Sequence, residues 1–365
     1  MHHTQRDRSS IIHFGWMIFL IGFIFSTSTP AGAEGQPSGN NEGAPAVKAD
    51  TADVEKVYNE ARDISSLRSL IIQQNGKLIT EKYFRNGGRN KAMNTKSASK
   101  SIISLLTGIA IDKGYIEGVD DKISTYLPEY FESITDSAKH RITVKNLLTM
   151  QTGLETTSFY NYGAWVTSDD WIAFALNQPM DARPGGDMRY STGTSHLLSV
   201  IITKASGMST RAFANKYLFE PMDIEVGGWD RDPQGYYMGG NNLALTPEAM
   251  LKLGQMVLNG GTWEGRRIIS KEWLADSFKT YTRSNYNPYD YGYMWWNRKV
   301  AGYDTYFAWG YGGQYIFIIP ELDGVVVMMS SLANASQDRG YKEPVFDLLA
   351  NHIIEGILEK YPGTK

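Results

Sequence analysis

A serine and a lysine three residues apart, Ser97 and Lys100, are the first residues in the chain whose types and spacing could carry out chemistry. On a helix this spacing places both side chains on one face and within contact distance. A serine hydroxyl becomes a nucleophile when a base removes its proton, and a lysine can be that base if burial and the helix N-terminus lower its pKa. The pair predicts nucleophilic catalysis on Ser97. The alternative is a capping serine beside a solvated lysine.

The residues after this pair favour the catalytic interpretation. Residues 102–109 carry isoleucine and leucine on most faces of a helix that ends at Gly114, a pattern that predicts a buried central helix. Burying the charge of Lys100 there is costly without a function or a partner. We expect the N-terminus of this helix to help hold an oxyanion.

Composition narrows the function classes. The chain has 365 residues, of which 42% are hydrophobic and 21% charged, and a net charge of −3. These values predict a globular protein and no binding to nucleic acid or to an anionic membrane, so we expect a small-molecule substrate. Cysteine is absent and no two histidines after residue 33 have the spacing of metal ligands, so no metal or organic cofactor is expected.

Residues 1–33 have the pattern of a secretory signal peptide. Arg6 and Arg8 precede an apolar run at residues 11–25, and small residues follow at 31–33. A membrane anchor is the less favoured alternative, because the run is shorter than the roughly 20 residues that span a bilayer. We predict cleavage near Ala33 and export to the periplasm or the medium, with no stable membrane span afterwards.

The next segments predict a flexible lead-in and then a fold that begins with strands. Residues 34–52 are rich in Gly, Pro, Asn and Ala, which bury too little surface to order themselves. Residues 70–73 and 78–84 flank Asn75-Gly76, a strong local signal for a β-hairpin.

The rest of the chain predicts helices and then strands. The helix signals are Thr143 as a cap for a helix through Met150, residues 196–205 with Gly207 as the stop, and Thr246-Pro247 as the start of a helix reaching 259–261. The strand patterns lie at 291–296, 303–309, 315–319 and 325–329, and a final helix lies at 343–360. This order predicts an α/β (α+β) domain over 53–365, with the sheet in 53–96 and 283–365 and a mostly helical part, 97–282, inserted between them.

Five segments follow one another in an order typical of a known family. They are KSASK at 96–100, LLTMQTGL at 147–154, YST at 190–192, LTP at 245–247 and GYGGQ at 310–314. In them, and from about Leu67 to the C-terminus, the chain resembles the serine hydrolases related to class C β-lactamases, which include penicillin-binding proteins, carboxylesterases and 6-aminohexanoate-dimer hydrolases. The resemblance implies a β-lactamase/transpeptidase-like fold, an antiparallel sheet flanked by helices with an inserted helical subdomain.

The second family motif is a tyrosine followed two residues later by asparagine, and Tyr190 and Thr192 stand in these places. The resemblance implies that Tyr190 shares the acid and base roles with Lys100. Its phenol becomes a useful base if the nearby cation favours phenolate. The alternative is a loop tyrosine satisfied by hydrogen bonds. Thr192 departs from the family and is a candidate substrate-binding residue.

The third family motif is Lys or His, then Thr, then Gly, on a strand facing the nucleophile, and the sequence here is Ala308-Trp309-Gly310. Ala308 cannot pair with a substrate carboxylate, so we expect uncharged substrates to be preferred, with Arg189 as the cation most able to change that. The glycines, Gly312 included, allow substrate to approach the strand edge. The backbone N–H groups of Ser97 and Tyr311 are the predicted oxyanion hole.

Aromatic residues suggest an apolar pocket. Phe, Tyr and Trp are concentrated over residues 281–317, and strand packing explains most of them. Four residues of an earlier loop are candidates for the wall of an acyl or alkyl pocket, Tyr160 among the predicted substrate-binding residues. They are Tyr160, Tyr162, Trp165 and Trp171.

One further motif predicts no chemistry. Residues 193–197 resemble a nucleophile elbow, but Leu197 stands where the second glycine belongs. His196 lies on an apolar helix and is interpreted as a structural histidine.

These observations predict an exported serine hydrolase that forms an acyl-enzyme on Ser97 and cleaves carboxylic esters or linear amides. The alternatives are a D-alanyl-D-alanine-type peptidase or weak β-lactamase, and a non-catalytic binding protein of the same fold. Intact Ser97, Lys100 and Tyr190 favour an enzyme. The sequence does not indicate an oligomeric state.

Overall fold

The computed structural model describes residues 49–333, 340 and 342–361, all of which belong to one compact unit. The predicted signal peptide and most of the predicted lead-in lie outside the described residues. Among the described residues, no helix is long and apolar enough to cross a membrane.

The strands are numbered in chain order. They are β1 Leu67–Gln74, β2 Lys77–Tyr83, β3 Met93–Asn94, β4 Gly228–Trp229, β5 Leu243–Leu245, β6 Thr262–Trp263, β7 Arg266–Arg267, β8 Thr282–Arg283, β9 Asp290–Tyr291, β10 Trp296–Val300, β11 Tyr303–Gly310, β12 Gln314–Ile319 and β13 Gly324–Ser330. Eight of them form one antiparallel sheet in the order β2-β1-β13-β12-β11-β10-β9-β8. The N-terminal hairpin therefore joins the C-terminal strands through β1 and β13.

The helices are likewise numbered in chain order. They are α1 Thr51–Asp63, α2 Ser99–Asp112, α3 Pro128–Phe131, α4 Val144–Leu148, α5 Tyr162–Val166, α6 Trp171–Asn177, α7 Thr192–Ser206, α8 Thr210–Ala214, α9 Pro247–Leu258, α10 Lys271–Ser277 and α11 Lys342–Asp347. A π-helical segment, Leu348–Leu358, continues α11.

Helices cover both faces of the sheet. On β12, Ile316 lies under Gly254 of α9, where an added Cβ would approach Ile316 to 2.8 Å. The next residue, Phe317, points to the other face and packs against Phe346 of α11, with ring centroids 5.6 Å apart. The predicted antiparallel sheet flanked by helices is confirmed.

Local signals placed several elements correctly. Asn75 and Gly76 both have positive φ, 52° and 69°, and join β1 to β2. Thr143 caps α4, Thr246 caps α9, and the left-handed Gly207 ends α7. Each of these residues satisfies backbone groups that a helix end or a tight turn leaves unpaired.

Two predictions about the elements are wrong. The fold begins with helix α1, capped by Asp50, so the lead-in extends two residues too far and the first element is not a strand. The predicted strand at 291–296 is broken between β9 and β10 because Gly292 packs against the Ser277 carbonyl and Met294 bonds the backbone of Leu148. Its backbone joins helices there instead of a neighbouring strand.

Candidate active site

Ser97 stands on a single turn, Lys96–Ala98, that leads into the buried helix α2. Lys96 has φ of 50°, a left-handed conformation that costs energy in a residue with a side chain. Asn94 Oδ1 accepts from the Lys96 N–H at 2.8 Å, and Ser99 Oγ donates to the Lys96 carbonyl at 2.7 Å. These bonds hold the strained turn that presents Ser97.

Lys100 lies on α2 with its side chain buried, at 1% exposure. Its Nζ donates to Ser97 Oγ at 3.2 Å, to Thr192 Oγ1 at 3.2 Å and to the Gly240 carbonyl at 2.8 Å. Burial lowers the pKa of Lys100 from 10.5 to about 7, because the interior solvates the ammonium form poorly. A substantial neutral fraction at neutral pH gives Ser97 a base within hydrogen-bond distance.

Thr192 is a hydrogen-bond partner of Lys100. It is buried, and its Oγ1 also contacts the hydroxyl of Ser158 at 2.9 Å. The structure therefore places Thr192 against Lys100, whereas the sequence predicted a substrate-binding residue. The Thr192 hydroxyl stands at the position of the asparagine in the family motif, and here it accepts a hydrogen bond from Lys100.

Tyr190 also lies close to the lysine. The Lys100 Nζ is 5.0 Å from the centroid of the Tyr190 ring, and that ring stacks on Trp296 at 5.7 Å. The three predicted catalytic residues thus converge on one site, although they come from a turn, a helix and the loop before α7. The acid and base role of Tyr190 stays a prediction.

A cavity of about 260 Å³ opens in front of Ser97. Its other lining residues are mostly aromatic: Phe159, Tyr190, Tyr286, Asn287, Trp296, Trp309, Tyr311 and Lys342. Such walls suit an apolar acyl or alkyl group, with few polar atoms to orient it.

The earlier loop supplies a different wall from the one predicted. Phe159 lines the cavity, while Tyr160 is 75% exposed and donates to Glu155. Trp165 and Trp171 are buried in a separate cluster with Met238, and the Tyr162 hydroxyl accepts from Asn241. Tyr160, Tyr162, Trp165 and Trp171 are not among the lining residues.

The end of β11 approaches the nucleophile closely. A Cβ on Gly310 would lie 2.1 Å from the Thr95 carbonyl, so only glycine lets this strand pack beside the turn that carries Ser97. Trp309 and Tyr311 line the cavity, as the predicted use of this strand requires. Gly312 follows with φ of 82° and turns the chain into β12. The oxyanion hole of Ser97 and Tyr311 stays a prediction.

Ala308 does not face the cavity. It is fully buried and pairs with Ile316, on the face of the sheet that α9 covers. Successive strand residues point to opposite faces, so Trp309 lines the cavity and Ala308 packs in the core. As a substrate-binding residue it was predicted wrongly.

The cavity contains a cation that the sequence did not reveal. Lys342, in the first turn of α11, lines it with Nζ 5.0 Å from the centroid of the Trp309 ring. Arg189 is held by Asp181 through its Nε, at 2.7 Å. A positive charge therefore lies at the cavity wall that the expectation based on Ala308 did not include, and the preference for uncharged substrates stays a prediction. No short-range sequence signal links this lysine to Ser97.

Two further predictions concern groups outside the cavity. His196 is buried and contacts Asp232, as expected of a structural histidine. Within the part of the chain that the structure describes, no cluster of three or more His, Cys, Asp or Glu side chains could hold a metal ion.

Comparison with known proteins identifies the family of this chain. The family model described as Beta-lactamase matches residues 52–350. The 6-aminohexanoate-dimer hydrolase of Paenarthrobacter ureafaciens is 22% identical over 290 residues, which cover 70% of this chain and 70% of the relative.

Solved structures share the fold at low sequence identity. EstCE1, described as a hydrolase with promiscuous acyltransferase activity, superposes with a TM-score of 0.69 and 16% identity over 82% of this chain and all of its own. The octameric penicillin-binding protein homologue of Pyrococcus abyssi gives 0.65 and 19% over 85% of this chain and 78% of its own. The expected β-lactamase/transpeptidase-like fold is confirmed.

Proposed function

Since this chain belongs to the beta-lactamase family of serine hydrolases, we propose that it cleaves carboxylic esters or linear amides through an acyl-enzyme on Ser97. The observation that carries the proposal is the buried amine of Lys100, 3.2 Å from the Ser97 hydroxyl. A nucleophile with a base at this distance is the arrangement that acyl transfer requires.

Acylation begins when neutral Lys100 takes the hydroxyl proton and Ser97 Oγ attacks the substrate carbonyl carbon. Backbone N–H groups of Ser97 and Tyr311 receive the negative charge that develops on the carbonyl oxygen. The C–O or C–N bond then breaks, and the proton held by Lys100 reaches the leaving alcohol or amine through Tyr190 or directly. The ester formed on Ser97 is the acyl-enzyme.

Deacylation reverses the roles with water as the nucleophile. The Lys100–Tyr190 pair takes a proton from water, and the hydroxide attacks the acyl carbon. The bond between the acyl carbon and Ser97 Oγ then breaks, Ser97 Oγ takes up the proton held by the Lys100–Tyr190 pair, and the carboxylic acid leaves. The same base and acid therefore serve both halves of the reaction.

The substrate class is supported by the cavity and by the names of relatives. Aromatic rings such as Phe159, Trp296 and Trp309 favour an apolar acyl or alkyl chain. One relative is named as a hydrolase of the 6-aminohexanoate dimer, and EstCE1 is described as a hydrolase with promiscuous acyltransferase activity. Both names fit a hydrolase of linear amides or esters.

A second candidate is favoured by Lys342. Its charge at the cavity wall gives a substrate carboxylate a partner, as a D-alanyl-D-alanine-type peptidase or a weak β-lactamase would require. The non-catalytic alternative is disfavoured because a binding protein has no need of a buried lysine beside Ser97.

Mass spectrometry of the intact protein tests the proposal. We expect a fluorophosphonate to add once per chain in the wild type and in Ser101→Ala, and not in Ser97→Ala. Ser101 is a matched control because it is buried on α2, one residue after Lys100, and its Oγ donates to the Met294 carbonyl rather than to the turn that carries Ser97. Equal labelling of Ser97→Ala would refute the assignment. In a separate experiment, a mass increase after exposure to a penicillin would support the second candidate function.

We further propose that the protein is exported and that its leader is removed near Ala33. The support is the leader pattern of residues 1–33. Protein recovered from the periplasm or the medium of an expressing bacterium should begin near Glu34. Full-length protein confined to the cytoplasm would contradict export.

A further inference from the structure

A histidine and an aspartate that the proposed mechanism does not use are buried together behind the base. His196 lies on α7, and Asp232 lies on the loop that follows β4. Nε2 of His196 is 2.9 Å from Oδ2 of Asp232, and both side chains are excluded from solvent. Trp165 and Trp171 pack edge-on against the imidazole. Keeping an ionisable pair buried costs free energy unless further hydrogen bonds compensate for the lost hydration.

The second contact of His196 determines its tautomer. The backbone N–H of Gly239 donates to Nδ1 of His196 at 3.2 Å. Because a backbone N–H can only donate, Nδ1 must carry no proton, and the ring proton is on Nε2, where it is donated to Asp232. Oδ1 of Asp232 accepts from the N–H of Tyr236 at 2.7 Å, which holds the carboxylate in turn.

The residue after Gly239 holds the catalytic lysine. The Gly240 carbonyl accepts from Lys100 Nζ at 2.8 Å, the shortest of the three hydrogen bonds recorded for that amine. A Cβ on Gly240 would lie 2.1 Å from Ser195 Oγ and 2.9 Å from Lys100 Cγ. The Gly239-Gly240 backbone is therefore in tight contact with both α7 and Lys100, and its position sets where the amine is held.

We propose that His196 and Asp232 are positioning residues for Lys100. Their hydrogen bonds fix Gly239, and through it the Gly240 carbonyl that holds the amine beside Ser97. The inference rests on the proposed function, because it assigns the pair a part in the activation of Ser97. Neither residue lines the cavity, so the pair acts on the rate of acylation and not on binding.

Asp232→Asn tests this with almost no change in volume. The asparagine Oδ1 must still accept from Tyr236, which turns its NH₂ toward His196 Nε2. That nitrogen must then accept, so the ring proton moves to Nδ1 and opposes the N–H of Gly239. The variant therefore breaks the contact between His196 and Gly239 without removing either side chain.

The measurement is fluorophosphonate inactivation, separated into the rate constant kinact and the binding constant KI. For Asp232→Asn we expect kinact to fall about tenfold or more, because a displaced base retains only part of the rate enhancement that a general base provides. We expect KI to stay within about twofold of the wild-type value. Rates are expressed per molecule whose Ser97 can be labelled by the fluorophosphonate, so unfolded molecules do not contribute.

Ser199→Ala is the matched control. Ser199 lies on α7, and its Oγ donates to the Tyr237 carbonyl at 2.6 Å. This hydrogen bond holds the loop that contains Gly239, at a point two residues before that glycine. Loss of the Ser199 hydroxyl removes two buried hydrogen bonds, to the Tyr237 carbonyl and to the Thr210 hydroxyl, and lowers stability, yet leaves Gly239 bonded to His196. We expect kinact to stay within about twofold of the wild type.

A double variant that restores activity distinguishes a positioning role of the pair from a role in packing alone. In the double variant His196→Asn/Asp232→Asn, the amide oxygen introduced on α7 can again accept from the Gly239 N–H, and no buried charge is left unpaired. The rate constant kinact should therefore recover relative to Asp232→Asn alone. Wild-type kinact in Asp232→Asn, or a double variant as slow as Asp232→Asn or slower, would overturn the inference. Failure to label the wild type would instead refute the proposed function.

Discussion

The side-chain nitrogen of Lys100 lies 3.2 Å from the hydroxyl oxygen of Ser97, in a position where the lysine is almost fully withdrawn from water. Both features are needed for catalysis. Contact lets the amine receive the proton, and burial makes the neutral amine abundant at physiological pH.

The rate of acylation should rise with pH and level off above about pH 7. The reason is that burial lowers the pKa of Lys100 to about 7, and only the neutral amine accepts the Ser97 proton. A plot of log kcat/KM against pH, for a neutral p-nitrophenyl ester, should have a slope near one on the acid side. A profile still rising steeply at pH 9 would show that Lys100 keeps an ordinary pKa.

Lys100→Met should abolish activity and raise the free energy of unfolding. The folded-state pKa lies below the value of 10.5 expected after unfolding, so burial of the amine opposes folding most at pH 7 and below. After the lost hydrogen bonds are subtracted, we expect a gain of about 1–3 kcal/mol near pH 6.

Urea denaturation at several pH values measures this gain. The difference between Lys100→Met and the wild type should shrink as pH rises from 7 toward 10.5, because the wild type then loses its penalty. A difference that does not change over this range would contradict the lowered pKa.

Tyr190→Phe should lower kcat by at least about 10², the usual effect of losing an acid or base group. Tyr291→Phe is the control, since this buried tyrosine packs against the Tyr190 ring at 6.4 Å and does not line the cavity. Steady-state kinetics of both variants decide the matter. Near-native turnover by Tyr190→Phe would mean that Lys100 completes the proton transfers without it.

The sequence predicted those parts of the site that depend on local spacing. Ser97 and Lys100 are brought together by one turn of backbone, and Asn75-Gly76 determines its hairpin through its own conformation. Contacts across the fold have no such signal. The Gly240 carbonyl is a backbone group that any sequence would supply, and Lys342 reaches the cavity only because α11 packs on the sheet.

The sequence was also misleading on strands. Alternation over residues 291–296 resembles a strand, but the tertiary contacts of Gly292 and Met294 divert the backbone. On β11, motif alignment places Ala308 at the cavity, whereas the pleat turns it into the core. Which face a residue occupies depends on the register of the whole sheet.

Ala308→Lys should destabilise the protein and not create a carboxylate site. The alanine is fully buried beside Ile316, so a lysine there would place an unpaired charge in the core at a cost of several kcal/mol. Thermal unfolding should show a large fall in Tm or loss of soluble protein. A stable variant with improved hydrolysis of a carboxylate-bearing substrate would mean that this position reaches the cavity.

Lys342→Met should weaken the use of carboxylate-bearing substrates selectively. The Lys342 ammonium lies over Trp309 at the cavity wall, where a substrate carboxylate can pair with it, and methionine keeps the apolar stem. A partly exposed ion pair contributes up to about 1 kcal/mol, so KM for an ester with a terminal acyl carboxylate should rise about two- to fivefold. The same ester without the carboxylate should be unaffected, and Lys342→Arg, which keeps the charge, should resemble the wild type with both. An equal effect of Lys342→Met on the two esters would show that this lysine shapes the cavity without reading charge, and would leave uncharged esters and amides as the favoured substrates.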